Sequence, residues 1–354
     1  MKKLKQDIIS GYKISKNEAL KLYDKNLDEL LKIADEIREI FVGDTVDLCS
    51  IINGKSGKCS ENCKYCAQSV YFDTGISEYG LVDYETILDS VLENQNEGVN
   101  RFSIVTSGRG LNGEEFVRVL DYYKKLNKDT FINLCASHGI IDKKALEALR
   151  ESGVRRYHHN VETSKNYYGD ICSTHTYEER IKTIECAKEV GLEICSGGII
   201  GMGETREDRV DMAIELRELG VVSIPINVLM PIKGTPLENV DSLTEEEILK
   251  TIAIFRLVNP KAQIRLAAGR NYLKRFGERA FRGGANATIT GNLLTTCGNK
   301  IKDDKKLIKD LGLNLKWLLY KILIILYSIW EKKYLLFLIE TVLIYSLYFF
   351  IIKI

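Results

Sequence analysis

Three cysteines packed into eight residues, Cys59, Cys63 and Cys66 of the segment CSENCKYCAQS, are the side chains of this chain best suited to chemistry. Their C-x3-C-x2-C spacing puts three thiols on one short loop, and three thiolates can hold three irons of a cubane cluster. A structural zinc site normally closes with four ligands, often as two CxxC pairs, and no fourth cysteine or histidine lies nearby in the sequence. The nearest other cysteine, Cys49, falls in the preceding apolar run and reads as a small packed side chain. A shell with one position open is what a catalytic metal site keeps, whereas an electron-transfer cluster is normally fully ligated.

Written as C-x3-C-x-aromatic-C, with Tyr65 as the aromatic, the loop resembles the signature of the radical S-adenosylmethionine superfamily. The resemblance implies a [4Fe-4S] cluster on Cys59, Cys63 and Cys66 whose fourth iron binds the amino and carboxylate groups of S-adenosylmethionine. Within that superfamily the chain resembles the biotin synthase family from about Val46 to Leu313. That family carries a second cluster, [2Fe-2S], held deep in its barrel by three cysteines and one arginine. The segments INLCASHG, EICSGGI and IRLAAGR supply Cys135, Cys195 and Arg265 for it, but the fourth position, in RFSIVTSGR, is Ser103. A serine hydroxyl is a harder and far less acidic ligand than a thiol and binds iron only as an alkoxide. Either Ser103 ligates, or the cluster leaves an iron open there, or a cluster of different nuclearity fills the site. Without the resemblance, Cys135 and Cys195 read as ordinary buried residues, and Arg265, in an apolar strand, needs an anionic partner. Cys172, Cys186 and Cys297 match no ligand position.

Contacts to S-adenosylmethionine follow from the same resemblance. In YHHNVETS the two-residue period of a strand puts His158, Asn160 and Glu162 on one face. The family pattern there is Y-N-H-N-L-D-T-S, and its asparagine and acid, here Asn160 and Glu162, touch the ribose and methionyl parts of the cofactor. His158 and Glu162 depart from that pattern, and His158 and His159 also read as core or solvent-facing histidines. Arg180, in THTYEER, matches an arginine near the cofactor carboxylate, although a lone helix arginine is more often solvated. Asn227, in IPINVLM, matches a residue near cofactor or substrate. The turn CSGGIIGMGET resembles a glycine-rich segment beside the cofactor and also reads as a tight strand-to-helix connection.

Positioning these residues takes a repeating scaffold. Short β-branched runs at 46–52, 101–106, 131–136, 156–162, 193–200, 221–228, 263–267 and 285–290 make eight candidate strands. Helical patterns lie between them, two opened by the capping boxes Thr176/Glu179 and Thr244/Glu247. Alternating strands and helices predict an α/β fold with a parallel sheet, and eight units predict a (β/α)8 TIM-type barrel over 41–313, with an open doubly wound sheet as the alternative. Residues 1–40 carry leucine and isoleucine at helical spacing and predict an N-terminal helical extension.

The resemblance implies that the chain inserts sulfur into dethiobiotin, using the 5′-deoxyadenosyl radical to open two saturated carbons, and forms biotin in the last step of that vitamin's synthesis. It implies a reductant such as flavodoxin or ferredoxin, iron–sulfur assembly proteins and a homodimer. Two rivals stand beside it: another radical enzyme on the same barrel, such as a hydrogenase-maturation or methylornithine-type relative, and an iron–sulfur electron carrier without substrate. A net charge of +1 over 354 residues gives no support for a nucleic-acid partner. The start MKKLKQDIISGYKIS lacks the apolar stretch of a signal peptide, so nine cysteines in a chain this long point to a reducing cytoplasm.

Residues 314–354 form an anomalous apolar tail that departs from the resemblance. Two apolar runs, Trp317–Trp330 and Tyr334–Ile352, carry only Lys321 and Glu340 as charges. A membrane hairpin, a helical pair added to the barrel and read-through of a frameshifted gene end compete. The composition favours the last: Ile, Leu, Tyr, Phe and Lys dominate, and each charge inside a membrane span costs about 2.5–3.5 kcal/mol. The tail is accordingly expected to be dispensable for chemistry, with membrane association through 317–352 left open.

Overall fold

The computed structural model describes residues 1–294 and 298–315. Cys297 and the apolar runs of the tail lie outside the described residues. The strands are β1 (Thr45–Lys55), β2 (Arg101–Thr106), β3 (Asn133–Ser137), β4 (Arg156–His158), β5 (Glu193–Cys195), β6 (Gly198–Ile200), β7 (Ser223–Val228), β8 (Gln263–Leu266), β9 (Ala287–Ile289) and β10 (Asn314–Leu315). All pair in parallel in the order β1-β2-β3-β4-β5-β7-β8-β9, and β9 returns to β1 through Asp47↔Ala287, Leu48↔Thr288 and Cys49↔Ile289. The sheet is therefore a closed eight-position barrel, with β5 and β6 sharing one position, and the open sheet is excluded.

The fifth run breaks in two because of its neighbour. Pro225 of β7 has no N–H for the ladder, and a Cβ on Gly197 would lie 1.9 Å from the Pro225 carbonyl oxygen. The Gly197 carbonyl accepts instead from the N–H groups of Val161 and Glu162, at 3.0 and 3.1 Å. The break thus ties the segment after β4 to the barrel rim. For the same reason β4 is shorter than the expected 156–162: Asn160 and Glu162 stand beyond the strand, and Glu162 has a φ of +69°.

Helices cover the outside. The helix Glu245–Val258 is buried over nearly its whole circumference, lying between the barrel and the N-terminal helix Leu27–Val42. Thr176 and Glu179 form the expected capping box. At Thr244 only half forms: the hydroxyl accepts from the Glu247 N–H, but the Glu247 carboxylate pairs with Arg206 and Arg209. β10 pairs with β1 through Thr45↔Asn314 and Val46↔Leu315, so strand pairing reaches Leu315, the last of the described residues. Among the described residues, no helix is long and apolar enough to cross a membrane.

Arg256 ties this outer shell to the strand that carries Arg265. Fully buried, it donates to the carbonyls of Gly284 (2.7 Å), Pro260 (3.0 Å) and Ala262 (2.7 Å), and to Oδ1 of Asn286 (2.6 Å). The same Asn286 oxygen accepts from the Ile264 N–H in β8 at 3.0 Å. An apolar side chain of similar length would leave the Gly284, Pro260 and Ala262 carbonyls buried without this donor. Arg256→Met is expected to lose about 3 kcal/mol or more of stability, read as a fall in the urea midpoint of the apo chain; an unchanged midpoint would remove Arg256 from this role.

Candidate active site in the barrel

The eleven residues singled out in the sequence, Cys59, Cys63, Cys66, Ser103, Cys135, Asn160, Glu162, Arg180, Cys195, Asn227 and Arg265, all line one cavity of ≈ 390 Å³ inside the barrel. At its rim is the cysteine loop after β1. The loop is pinned by its own polar groups: the Cys59 N–H donates to the Gln68 carbonyl (3.0 Å) and the Val70 N–H to the Cys59 carbonyl (2.9 Å). The Ser69 hydroxyl donates to the Glu61 carbonyl at 2.6 Å, and the Ser107 hydroxyl to the Gly57 carbonyl at 2.7 Å. Gly57 has a φ of +75°, and a Cβ there would lie 2.6 Å from the Glu78 side chain. Cys59 and Cys63 are buried and Cys66 half-buried. Burial, with some help from the Cys59 and Glu162 charges, pushes the Cys66 thiol up to about 11. Three soft donors converging on one loop fit a three-thiolate iron–sulfur site, and the Arg180 guanidinium partly offsets the upward shift of the Cys63 and Cys66 thiols without outweighing it.

The tertiary structure adds ligand-type groups that the sequence did not place here. Cys172 Sγ lies 3.6 Å from Cys63 Sγ and 3.3 Å from His175 Nδ1. These three atoms all fall within 4.8 Å of one another, so a fourth cysteine and a histidine do adjoin the loop, contrary to the reading from sequence. Arg180 donates to His175 Nε2 at 2.9 Å, which leaves Nδ1 to carry the proton and donate to Glu61 at 2.6 Å. Arg180 is no solvated helix residue. It is buried, donates to the Tyr168 hydroxyl (2.6 Å) and the Asn160 carbonyl (3.0 Å), and faces Glu162 at 3.5 Å.

Around the cavity wall, Asn160 accepts from the Gly197 N–H at 3.1 Å and donates to Glu162 at 3.3 Å. Asn227 is held from both sides, donating to the Gly198 carbonyl (3.1 Å) and accepting from the Ala268 N–H (3.2 Å). In the glycine-rich turn, the N–H groups of Gly201 and Met202 both donate to the Glu204 carboxylate at 2.7 Å, and Glu204 pairs with Arg209. Those N–H groups are spent within the turn itself.

Strand register decides what faces inward below the rim. Cys135 pairs with Ser103, which pairs with Ile51, two residues on from Cys49. Cys135 also pairs with Arg156, and two residues on, His158 pairs with Cys195. Cys195 pairs with Ser223, which pairs with Gln263, two residues before Arg265. Arg265 pairs with Ala287, which pairs with Asp47, and two residues on is Cys49 again. The steady shift is the tilt of an eight-stranded barrel, whose layers draw one side chain from every second strand. Cys49, Cys135, Cys195 and Arg265 make one such layer. Ser103 stands on an intervening strand.

The floor beneath is strongly charged. Arg265 donates to Asp47 at 2.6 Å, with both side chains 2% exposed, and to the Thr288 carbonyl at 2.9 Å. Arg101 reaches the other Asp47 oxygen at 3.4 Å, and Arg156 pairs with Glu193 at 2.7 Å. Arg265 therefore does pair with an acid. Burial raises the Asp47 carboxyl, but Arg265, Arg101 and Arg156 outweigh it and hold Asp47 down at about 2. Burial likewise raises the Cys195 thiol, yet His158 beside it, with Arg156 and Arg265, draws it down to about 6. Ser103 Oγ is buried without a hydrogen-bond partner. An orphaned hydroxyl among cysteines and guanidiniums marks a space suited to an anionic, sulfur-rich group.

A model of the Radical SAM superfamily matches residues 53–216, and one of the Biotin and Thiamin Synthesis associated domain matches residues 225–314. The biotin synthase of Clostridium perfringens (strain 13 / Type A) is 64% identical over 313 residues, covering 88% of this chain and 98% of that protein. The chain belongs to the biotin synthase family. A second member, from Alkaliphilus metalliredigens (strain QYMF), is 54% identical over 316 residues, covering 89% of this chain and 99% of that one. Among solved structures, methylornithine synthase shares the fold, with a TM-score of 0.76 at 19% identity over 90% of this chain and 99% of its own. Beyond the residues that the biotin synthase resemblance named, the cavity brings in Cys49, Glu61, His175, Arg101 and Arg156. The two-residue period on β1, β2 and β4 could have pointed to three of them, Cys49, Arg101 and Arg156.

Asp47→Asn leaves the Arg265 charge buried without its partner and is expected to cost about 3–5 kcal/mol. Because the folded carboxyl sits below its unfolded value near 3.9, the pair's contribution is complete above that pH. It is lost as pH falls through about 2. Urea unfolding of the apo chain against pH reads both effects; equal midpoints for the two chains at neutral pH would refute them.

Proposed function

We propose that this chain converts dethiobiotin to biotin by radical insertion of sulfur, with its chemistry confined to the barrel cavity. The observation that carries the reading is one cavity joining the three-cysteine loop at the rim to Cys135, Cys195 and Arg265 below it. Identity with biotin synthases over nearly their whole length supports the same activity.

Cys59, Cys63 and Cys66 would hold a [4Fe-4S] cluster, and Asn160, Glu162, Arg180 and Asn227 would contact S-adenosylmethionine. Together these supply a 5′-deoxyadenosyl radical when bound and reduced. The protein's share is to orient and to exclude water, because a primary carbon radical attacks whatever it reaches. Arg180 can receive a carboxylate, and its hydrogen bonds to Tyr168, His175 and the Asn160 carbonyl keep it from swinging away. Glu162 accepts from Asn160, which leaves carboxylate capacity for an amino or hydroxyl group. Cys135, Cys195 and Arg265 would hold the second, sulfur-donating cluster, with Ser103 at the position where the family has a third cysteine. A flavodoxin- or ferredoxin-type reductant, iron–sulfur assembly proteins and a second copy of the chain belong to this reading as partners.

Anaerobically reconstituted protein, given S-adenosylmethionine, a low-potential reductant and dethiobiotin, is expected to form biotin and 5′-deoxyadenosine, both read by mass spectrometry. Deoxyadenosine without biotin would assign the barrel to another radical reaction. Alanine at Cys59, Cys63 or Cys66 is expected to abolish deoxyadenosine formation; a variant that cleaves the cofactor normally would remove that cysteine from the cluster.

A further inference from the structure

Ser103 is a poor substitute for a thiolate, and the barrel places a thiol close by. Cys49 occupies the same layer as Cys135, Cys195 and Arg265 and lines the same cavity. We propose that Cys49 is the third thiolate of the inner cluster, taking over the role that Ser103 cannot fill, so that Cys49, Cys135 and Cys195 bind it with Arg265 completing the layer. This inference rests on the second cluster proposed above.

Three observations carry it. The register that closes the barrel returns to Cys49 after one full circuit, so the thiol faces the axis at the height of the other two. Cys135 and Cys195 are nearly covered by their neighbours. Cys49 instead keeps a half-buried surface on the cavity, and its sulfur makes one weak contact, to the Ser50 carbonyl at 3.7 Å. Ser103 has no such freedom of role. Its hydroxyl is buried and unpartnered, and an alkoxide is a harder donor than iron–sulfur clusters take.

The test begins with the full chain carrying C59A, C63A and C66A, so that iron bound after anaerobic reconstitution reports the inner site alone. Into that background go Cys49→Ala, Cys49→Ser and Ser103→Ala, each checked for fold by the circular dichroism and melting of its apo form. Cys49→Ser is nearly isosteric and separates ligand loss from misfolding. Both Cys49 variants are expected to bind iron roughly tenfold or more weakly, while Ser103→Ala keeps most of it. A Mössbauer spectrum altered in Cys49→Ser but not in Ser103→Ala would agree. Alkylation read by mass spectrometry gives a second measure: reconstitution is expected to protect Cys49, with Cys186 reacting equally in both states. Iron loss in Ser103→Ala equal to that in the Cys49 variants, or Cys49 still reactive after reconstitution, would overturn the assignment. A triple variant that binds no iron at all refutes the second cluster itself, a different failure from a wrong third ligand.

Discussion

A guanidinium at the centre of a closed barrel has no water to face, and the pairing of Arg265 with Asp47 answers that constraint. The two residues sit on β8 and β1 with β9 between them, so their hydrogen bond crosses the seam where the sheet closes. Arg101 shares the same carboxylate from β2, and Arg156 meets Glu193 one step further round. Three guanidiniums against two carboxylates, buried Asp47 and exposed Glu193, leave the floor short of negative charge. Such an imbalance is costly in an empty core and favourable beneath thiolates and sulfides. The layer above the floor offers cysteine thiols, and the electrostatics of floor and layer are complementary for that reason.

The rim depends on a second connected set. Glu61 of the cysteine loop, His175 and Arg180 form a chain of hydrogen bonds that ends on Asn160 and Glu162. The loop that would hold one cluster and the residues that would hold its cofactor are thus fixed to one another. Glu162 shows what that rigidity takes: a non-glycine residue at φ +69° is strained by about 1–3 kcal/mol, and its backbone is held by the Ile199 N–H at 2.8 Å and by the Gly197 carbonyl. Strain kept in place by surrounding hydrogen bonds is a mark of a side chain aimed for use.

Much of this was legible in the sequence because its signals are local. C-x3-C-x2-C is a spacing, a strand–helix alternation is a period, and both survive without knowledge of contacts. Boundaries failed where a neighbour intervened. The fifth strand broke because Pro225 lies opposite it in β7, and the fourth ended early because its continuation bonds to the Gly197 carbonyl. The Thr244 capping box stayed half-made because Arg206 and Arg209 outcompete a backbone N–H for Glu247.

The sequence by itself determined the clustering of Cys59, Cys63 and Cys66, the eight-unit barrel and the family, since each is written in residues near one another in the chain. Only the tertiary structure decided which residues share a layer. Cys49 and Arg265 are separated by most of the chain, and so are Asp47 and Arg265, yet register and barrel closure bring them together. Cys172 and His175 meet Cys63 by the same route, from the turn between the helices Lys165–Ile171 and Tyr177–Glu189 far along the chain. A cysteine read alone is indistinguishable from a packed small side chain. Its role follows from what faces it across the axis, and closure of the barrel is the physical event that sets that.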